Sequence, residues 1–275
     1  MTIAVLDMEA EYNNRARVAN SAEIIERWTK AAALARRELP GERDVAYGSK
    51  PRQVYDFYPA SGGSALVVYI HGGYWQRGHG HDYAFVAREL LKRGVSVAIP
   101  TYTLCPGAGI ASITDEISVF LRGLWARTKK RPVLVGHSAG GHLAATLMSR
   151  GGIEGAPRDL ITAAYGISGV YDLRPLVGTS LNEALRLDTA AAMAVSPMFD
   201  PVPSGGKFVA AAGGDESSEF VRQAHEFAAA WSKGDAAATS TIVPGANHFT
   251  IVDELTKPNS AMLNKIVAMA EHVAS

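Results

Sequence analysis

A single cysteine, Cys105, stands in 275 residues, so no disulfide can form within the chain. It lies in a loop rich in proline and glycine and reads as structural or incidental. No run approaches the roughly 20 apolar residues needed to span a bilayer. Neither sign of charge is in excess: 27 basic residues meet 27 acidic ones. That balance removes the electrostatic signature of a nucleic-acid binder or of a protein held on an anionic membrane. Residues 1–20 carry Asp7, Glu9, Glu11, Arg15 and Arg17 without an apolar core, unlike a secretory signal, and a cytoplasmic location is the expectation. There is no internal repeat and no long low-complexity tract. What is left is a chain with 47% hydrophobic residues, enough for one sizeable α/β domain. A small-molecule substrate is the only partner class that this composition favours, and oligomeric state is not readable from it.

The hydrophobic pattern supplies the organisation. Residues 8–39 are charged and helix-rich with an amphipathic pattern, closed by Leu39-Pro40-Gly41, which suggests a segment packed on the body. Val45–Tyr47 and Gln53–Tyr58 read as a hairpin. Apolar runs of strand length then alternate with helical ones: 66–70, 83–92, 95–99, 113–126, 133–135, 143–149 and 160–165. This rhythm predicts an α/β fold, a mostly parallel central sheet with helices on both faces, in a single domain over 1–275. The stretch 168–206 breaks the rhythm and is expected to form a small cap over the active site.

Gly136-His137-Ser138-Ala139-Gly140 carries the chemistry. It follows the strand-like Pro132-Val133-Leu134-Val135 and opens the helix-like His142–Met148. A serine on such a strand-to-helix turn is held in a strained conformation with its hydroxyl exposed, and the flanking glycines remove the side chains that would clash. This is a nucleophile elbow, and it predicts acyl transfer through a covalent serine intermediate. Two later loops carry the partners. The strand-like run 207–212 ends in Gly213-Gly214-Asp215-Glu216, and the run 239–243 is followed by Pro244-Gly245-Ala246-Asn247-His248. His248 is expected to take the proton of Ser138, and Asp215 to hold the imidazole; Glu216 is a rival by adjacency, while Asp235 and Asp253 are less well placed. His71-Gly72-Gly73-Tyr74-Trp75 follows another buried strand. Its backbone N–H groups, from Gly72, Gly73 or Tyr74, join that of Ala139 as the expected oxyanion hole, with His71 bracing the loop. His79 and His81 in Gly78-His79-Gly80-His81-Asp82 have a spacing seen in zinc sites, yet no second ligand run accompanies them; no metal and no cofactor are expected.

Three segments, His71–Gln76, Gly136–Leu143 and His248–Leu255, together resemble the α/β-hydrolase kynurenine formamidases (arylformamidases) and related bacterial esterases. Gly169–Leu176, continuing through Asn182 to Ser196-Pro197, is similar to the same family. The resemblance spans roughly residues 10 to 270. It implies the α/β-hydrolase fold and hydrolysis of an N-formyl aryl amine, typically N-formyl-kynurenine, to formate and the free amine. A broad small-acyl carboxylesterase or amidase shares every catalytic residue, and a non-catalytic receptor of the same fold is a third reading. For an aromatic leaving group, Tyr74, Trp75, Tyr171 and Phe249 are candidate contacts. For a substrate carboxylate or amine, the nearby polar residues are Arg77, Arg174, Asn182 and Ser168.

Overall fold

The computed structural model describes residues 6–275. Three helices come first, α1 (Met8–Tyr12), α2 (Asn14–Arg17) and α3 (Ser21–Glu38), followed by the strands β1 (Glu42–Ala46), β2 (Val54–Tyr58) and β3 (Leu66–Ile70). Alternation then sets in: α4 (Ala87–Lys92), β4 (Ser96–Pro100), α5 (Ile110–Thr128), β5 (Val133–His137), α6 (Ala139–Ser149) and β6 (Ala163–Ile167). Two short helices, α7 (Asn182–Leu185) and α8 (Thr189–Ala194), interrupt it before β7 (Lys207–Gly213), α9 (Ser218–Trp231), β8 (Ala237–Val243) and α10 (Ala261–Ala274).

All eight strands join one sheet in the order β1-β2-β4-β3-β5-β6-β7-β8. β2 pairs antiparallel with both β1 and β4, and every pairing from β4 to β8 is parallel. A parallel sheet is covered on both faces, so its strands are apolar throughout. β3 shows why: Leu66, Val68 and Ile70 enter one core and Val67 and Tyr69 the other, because successive side chains point to opposite faces. The edge strands β1 and β8 instead hold half-exposed residues.

Parallel register brings the site together. Ile70 is level with Gly136, His137 with Ile167, Ile167 with Ala211, and Gly213 with Val243. The loops after β3, β5, β6, β7 and β8 therefore leave the same edge of the sheet, where ligands bind in open α/β folds.

The N-terminal segment is fastened over that edge. Ile24, Trp28, Ala32 and Ala35 form the buried stripe of α3. The Trp28 ring packs against Tyr83 at 5.8 Å and Phe249 at 6.1 Å, and its Nε1–H donates to Asp253 Oδ1 at 2.9 Å. Arg27 binds the same carboxylate through two nitrogens, at 3.1 and 2.7 Å. Among the described residues no helix is long and apolar enough to cross a membrane.

Candidate active site

Ser138 sits between β5 and α6 at φ 56° and ψ −117°, a conformation costing on the order of 1–3 kcal/mol in a non-glycine residue. Its neighbours make that turn possible. A Cβ on Gly136 would lie 2.0 Å from the Gly140 carbonyl oxygen, and one on Gly140 would lie 2.0 Å from that of Ile70. A Cβ on Gly72 would meet Ser138 Cβ at 2.9 Å, so the loop after β3 lies directly against the serine. That loop carries three successive positive φ values, at Gly73, Tyr74 and Trp75. Among the described residues, the backbone N–H groups of Gly73, Tyr74 and Ala139 donate to no protein acceptor. Tyr74 is pinned from its far end: its hydroxyl donates to the Tyr12 carbonyl at 2.6 Å and accepts from Asn14 Nδ2 at 3.1 Å.

The imidazole of His248 meets Glu216, not Asp215. Nδ1 of His248 lies 2.7 Å from Glu216 Oε2, and both residues are buried. The expectation for Asp215 fails because of the turn that ends β7. The Glu216 N–H folds back onto the Gly213 carbonyl, which turns residue 216 beneath the strand end and leaves Asp215 exposed. Glu216 Oε1 also accepts from Ser168 Oγ at 2.5 Å and from the Gly213 N–H at 2.6 Å. A carboxylate on Nδ1 requires the proton there, which leaves Nε2 as the basic nitrogen. His137, inside the elbow, points its Nε2 at the His248 carbonyl at 2.8 Å and so fixes the backbone of that histidine.

Ser138 and His248 line one cavity of about 350 Å³, within the range of small-molecule sites. Tyr74 and Phe249 line it as expected contacts; Trp75 and Tyr171 do not. Trp75 is fully buried with its ring edge-on to His142 at 4.9 Å, and Tyr171 is fully buried in a stack on Phe227 at 4.0 Å. Both are core residues, placed there because their large apolar rings fill the space behind the loops. Much of the cavity lining comes from the N-terminal segment, Tyr12, Asn14, Arg15 and Trp28 among it, while 168–206 contributes Ser180 and Leu181.

Ser168, considered for a substrate carboxylate or amine, instead bonds Glu216, and His137 of the elbow motif, given no role from the sequence, holds the His248 backbone; no motif pointed to the N-terminal residues as parts of this site. Ser168 had one local cue, its place just after a buried strand, and it takes a positive φ of 52°. The N-terminal residues act through tertiary contact alone. His79 and His81 stack at 3.7 Å, and His79 Nδ1 accepts from the His81 N–H; among the described residues no three His, Cys, Asp or Glu side chains gather as a metal-binding group.

Three buried histidines are held neutral. Burial lowers His71 to about 3 and His142 to about 4, and burial together with the nearby His248 takes His137 well below the usual range. His71 stacks on Tyr102 at 4.2 Å and bonds the Gly72 carbonyl through Nδ1 at 2.8 Å, bracing the loop. In the unfolded chain each titrates near 6.5, so below that pH the unfolded state binds protons that the folded state refuses. Stability is thus lost as pH falls, by about 1.4 kcal/mol per pH unit for each histidine. Urea midpoints are expected to drop steeply between about pH 6 and pH 4.5. Equal midpoints at pH 7 and pH 5 would overturn this account of the three rings.

Residues 67–249 match a family model described as an alpha/beta hydrolase fold. A kynurenine formamidase from Danio rerio is 28% identical over 82% of this chain and 80% of its own. One from Salmo salar is 30% identical over 77% and 76%. A solved structure from Silicibacter sp. TM1040, assigned only provisionally as a thioesterase, superposes with a TM-score of 0.87 at 31% identity, covering 97% of this chain and 99% of its own.

Proposed function

We propose a specific reaction from this premise: the chain belongs to the α/β-hydrolase family of kynurenine formamidases and esterases, and it is a hydrolase. The reaction is hydrolysis of the formamide bond of an N-formyl aryl amine, such as N-formyl-kynurenine, through a formyl-enzyme on Ser138. The observation that carries the mechanism is the buried Glu216 carboxylate bonded to His248, which lines the same cavity as Ser138.

In this mechanism His248 Nε2 removes the Ser138 proton as Oγ attacks the formyl carbon. Glu216 holds the imidazole in the required tautomer and stabilises the imidazolium that forms. The free N–H groups of Gly73 or Tyr74 and of Ala139 receive the charge on the carbonyl oxygen, and their strained loop is already set before substrate arrives. An aryl amine leaves only when its nitrogen is protonated, so His248 returns its proton there. Water then enters by the same base, and formate departs from Ser138. Tyr74 and Phe249 offer the leaving group an aromatic wall.

Kinship with the formamidases supports the formyl group over larger acyl groups. A formyl carbon carries only hydrogen, and the close Gly72 backbone at Ser138 suits a small acyl side. Forcing a methyl group into a packed site costs about 1–3 kcal/mol, or roughly 5- to 150-fold in rate. The expected result is that the N-formyl derivative of one aryl amine exceeds its N-acetyl derivative in kcat/KM by at least the lower of these factors. A ratio near one, with a short-chain aryl ester turned over faster than either, would favour the broad esterase.

A further inference from the structure

Among the described residues, two guanidinium groups at the catalytic cavity have no partner. Arg15, on α2, and Arg77, four residues past Gly73, both line it, and among the described residues neither makes an ion pair or a side-chain hydrogen bond. Most arginines elsewhere in the chain are paired with carboxylates, as Arg27 and Arg36 are. A few more stand free on the surface, but those do not line the cavity with Ser138. Arg77 feels its neighbour: partial desolvation lowers it, and the like charge of Arg15 lowers it further. Placing two such cations at one opening is unfavourable unless an anion joins them.

The acids nearby do not fill that role. Glu9 accepts from the backbone N–H and the hydroxyl of Ser180, both at 2.8 Å. Asp82 accepts from the His79 N–H at 3.0 Å and lies 3.3 Å from His81 Nε2. The other polar residues considered for a substrate carboxylate are also engaged. Arg174 is paired with Asp172, Asn182 bonds the backbone at Val177 and Leu187, and Ser168 is spent on Glu216.

We propose that Arg15 and Arg77 form an anion clamp that takes a carboxylate carried on the leaving-group side of the substrate. Arg77 is fixed close to the reaction centre, since its own N–H donates to the Gly73 carbonyl at 3.1 Å and its stem would touch a Cβ on Gly73. Arg15 arrives from the N-terminal segment, so the clamp closes only where that segment is docked on the Tyr74 hydroxyl through Tyr12 and Asn14. This rests on Ser138 and His248 marking the reacting end of the cavity, as proposed above.

Calorimetry on the full chain tests the clamp without relying on turnover. The probes are 4-(2-aminophenyl)-4-oxobutanoate, an aryl amine bearing a carboxylate, and its primary amide, which keeps the shape and removes the charge. Two exposed charge pairs support roughly a 2- to 30-fold tighter Kd for the carboxylate at low salt. The preference should shrink in 0.5 M salt as screening shortens. In Arg15→Gln it should fall in part, and in the Arg15→Gln/Arg77→Gln double variant it should approach one. Both side chains are exposed, and each protein carries its own neutral control. Equal affinities in the wild type, a preference that survives in the double variant, or no binding of either probe would overturn the clamp. Formamide turnover, measured separately, decides the reaction: a clamp without formamide hydrolysis would retire that reading and keep this one.

Discussion

Ser138→Ala is expected to fold as the parent does and to lose about four to six orders of magnitude in kcat/KM on any acyl substrate it hydrolyses. Alanine is smaller than serine, and Ser138 Oγ makes no hydrogen bond that the fold depends on among the described residues. The turn keeps its shape because Gly136, Gly140 and Gly72 create the space around it. What disappears is the nucleophile, and the residual rate comes from the oxyanion donors and binding alone. Treatment with an organophosphonate followed by peptide mapping should place one adduct on Ser138 in the parent and none in the variant. Labelling of the variant at the parental level would move the nucleophile elsewhere.

Glu216 and Asp215 should separate cleanly despite being adjacent. Glu216→Gln keeps the volume and an oxygen for Ser168 Oγ and the Gly213 N–H, but it presents an amide to His248 Nδ1. The amide N–H donates where the ring must also donate, so the imidazole is driven into the wrong tautomer. A loss of roughly 10³- to 10⁴-fold in kcat follows, about 4–5.5 kcal/mol of transition-state stabilisation. Glu216→Ala should lose at least as much and also destabilise the fold, because three buried donors, Ser168 Oγ, the Gly213 N–H and His248 Nδ1–H, are left without an acceptor. Asp215→Ala should stay within about twofold, as expected for an exposed side chain away from such features. A loss in Asp215→Ala matching that of Glu216→Gln would return the acid to residue 215.

The contrast between those two residues marks how far the sequence could be read. Strand–turn–helix order, the elbow at Ser138 and a histidine after the last strand were legible, because each is written in local pattern: apolar runs, glycines and loop positions. The acid was legible only to within one residue. Choosing between neighbours depends on which way a tight turn faces, and that is set by the Glu216 N–H closing on the Gly213 carbonyl. The aromatic contacts split for a related reason. Tyr74 and Trp75 share the same positive-φ loop, yet Tyr74 lines the cavity while Trp75 points into the core beside His142. The N-terminal wall was least legible. Its amphipathic helix announced a packed segment, but the surface it covers is fixed by long-range bonds, Trp28 and Arg27 to Asp253 and Tyr74 to Tyr12. The stretch 168–206, expected as the cap, supplies only a minor part of the cavity lining.

Hydrolysis of N-formyl-kynurenine, with formate and amine both quantified at steady state, tests the central claim most directly. The parent protein should release the two in equal amounts with kcat/KM of about 10⁴ M⁻¹s⁻¹ or more, the lower bound for ordinary enzymes, while Ser138→Ala and Glu216→Gln release neither at a comparable rate. Turnover of short aryl esters with no release of formate from the formamide would contradict the formamidase reading, and formate release undiminished in Ser138→Ala would contradict the serine mechanism itself.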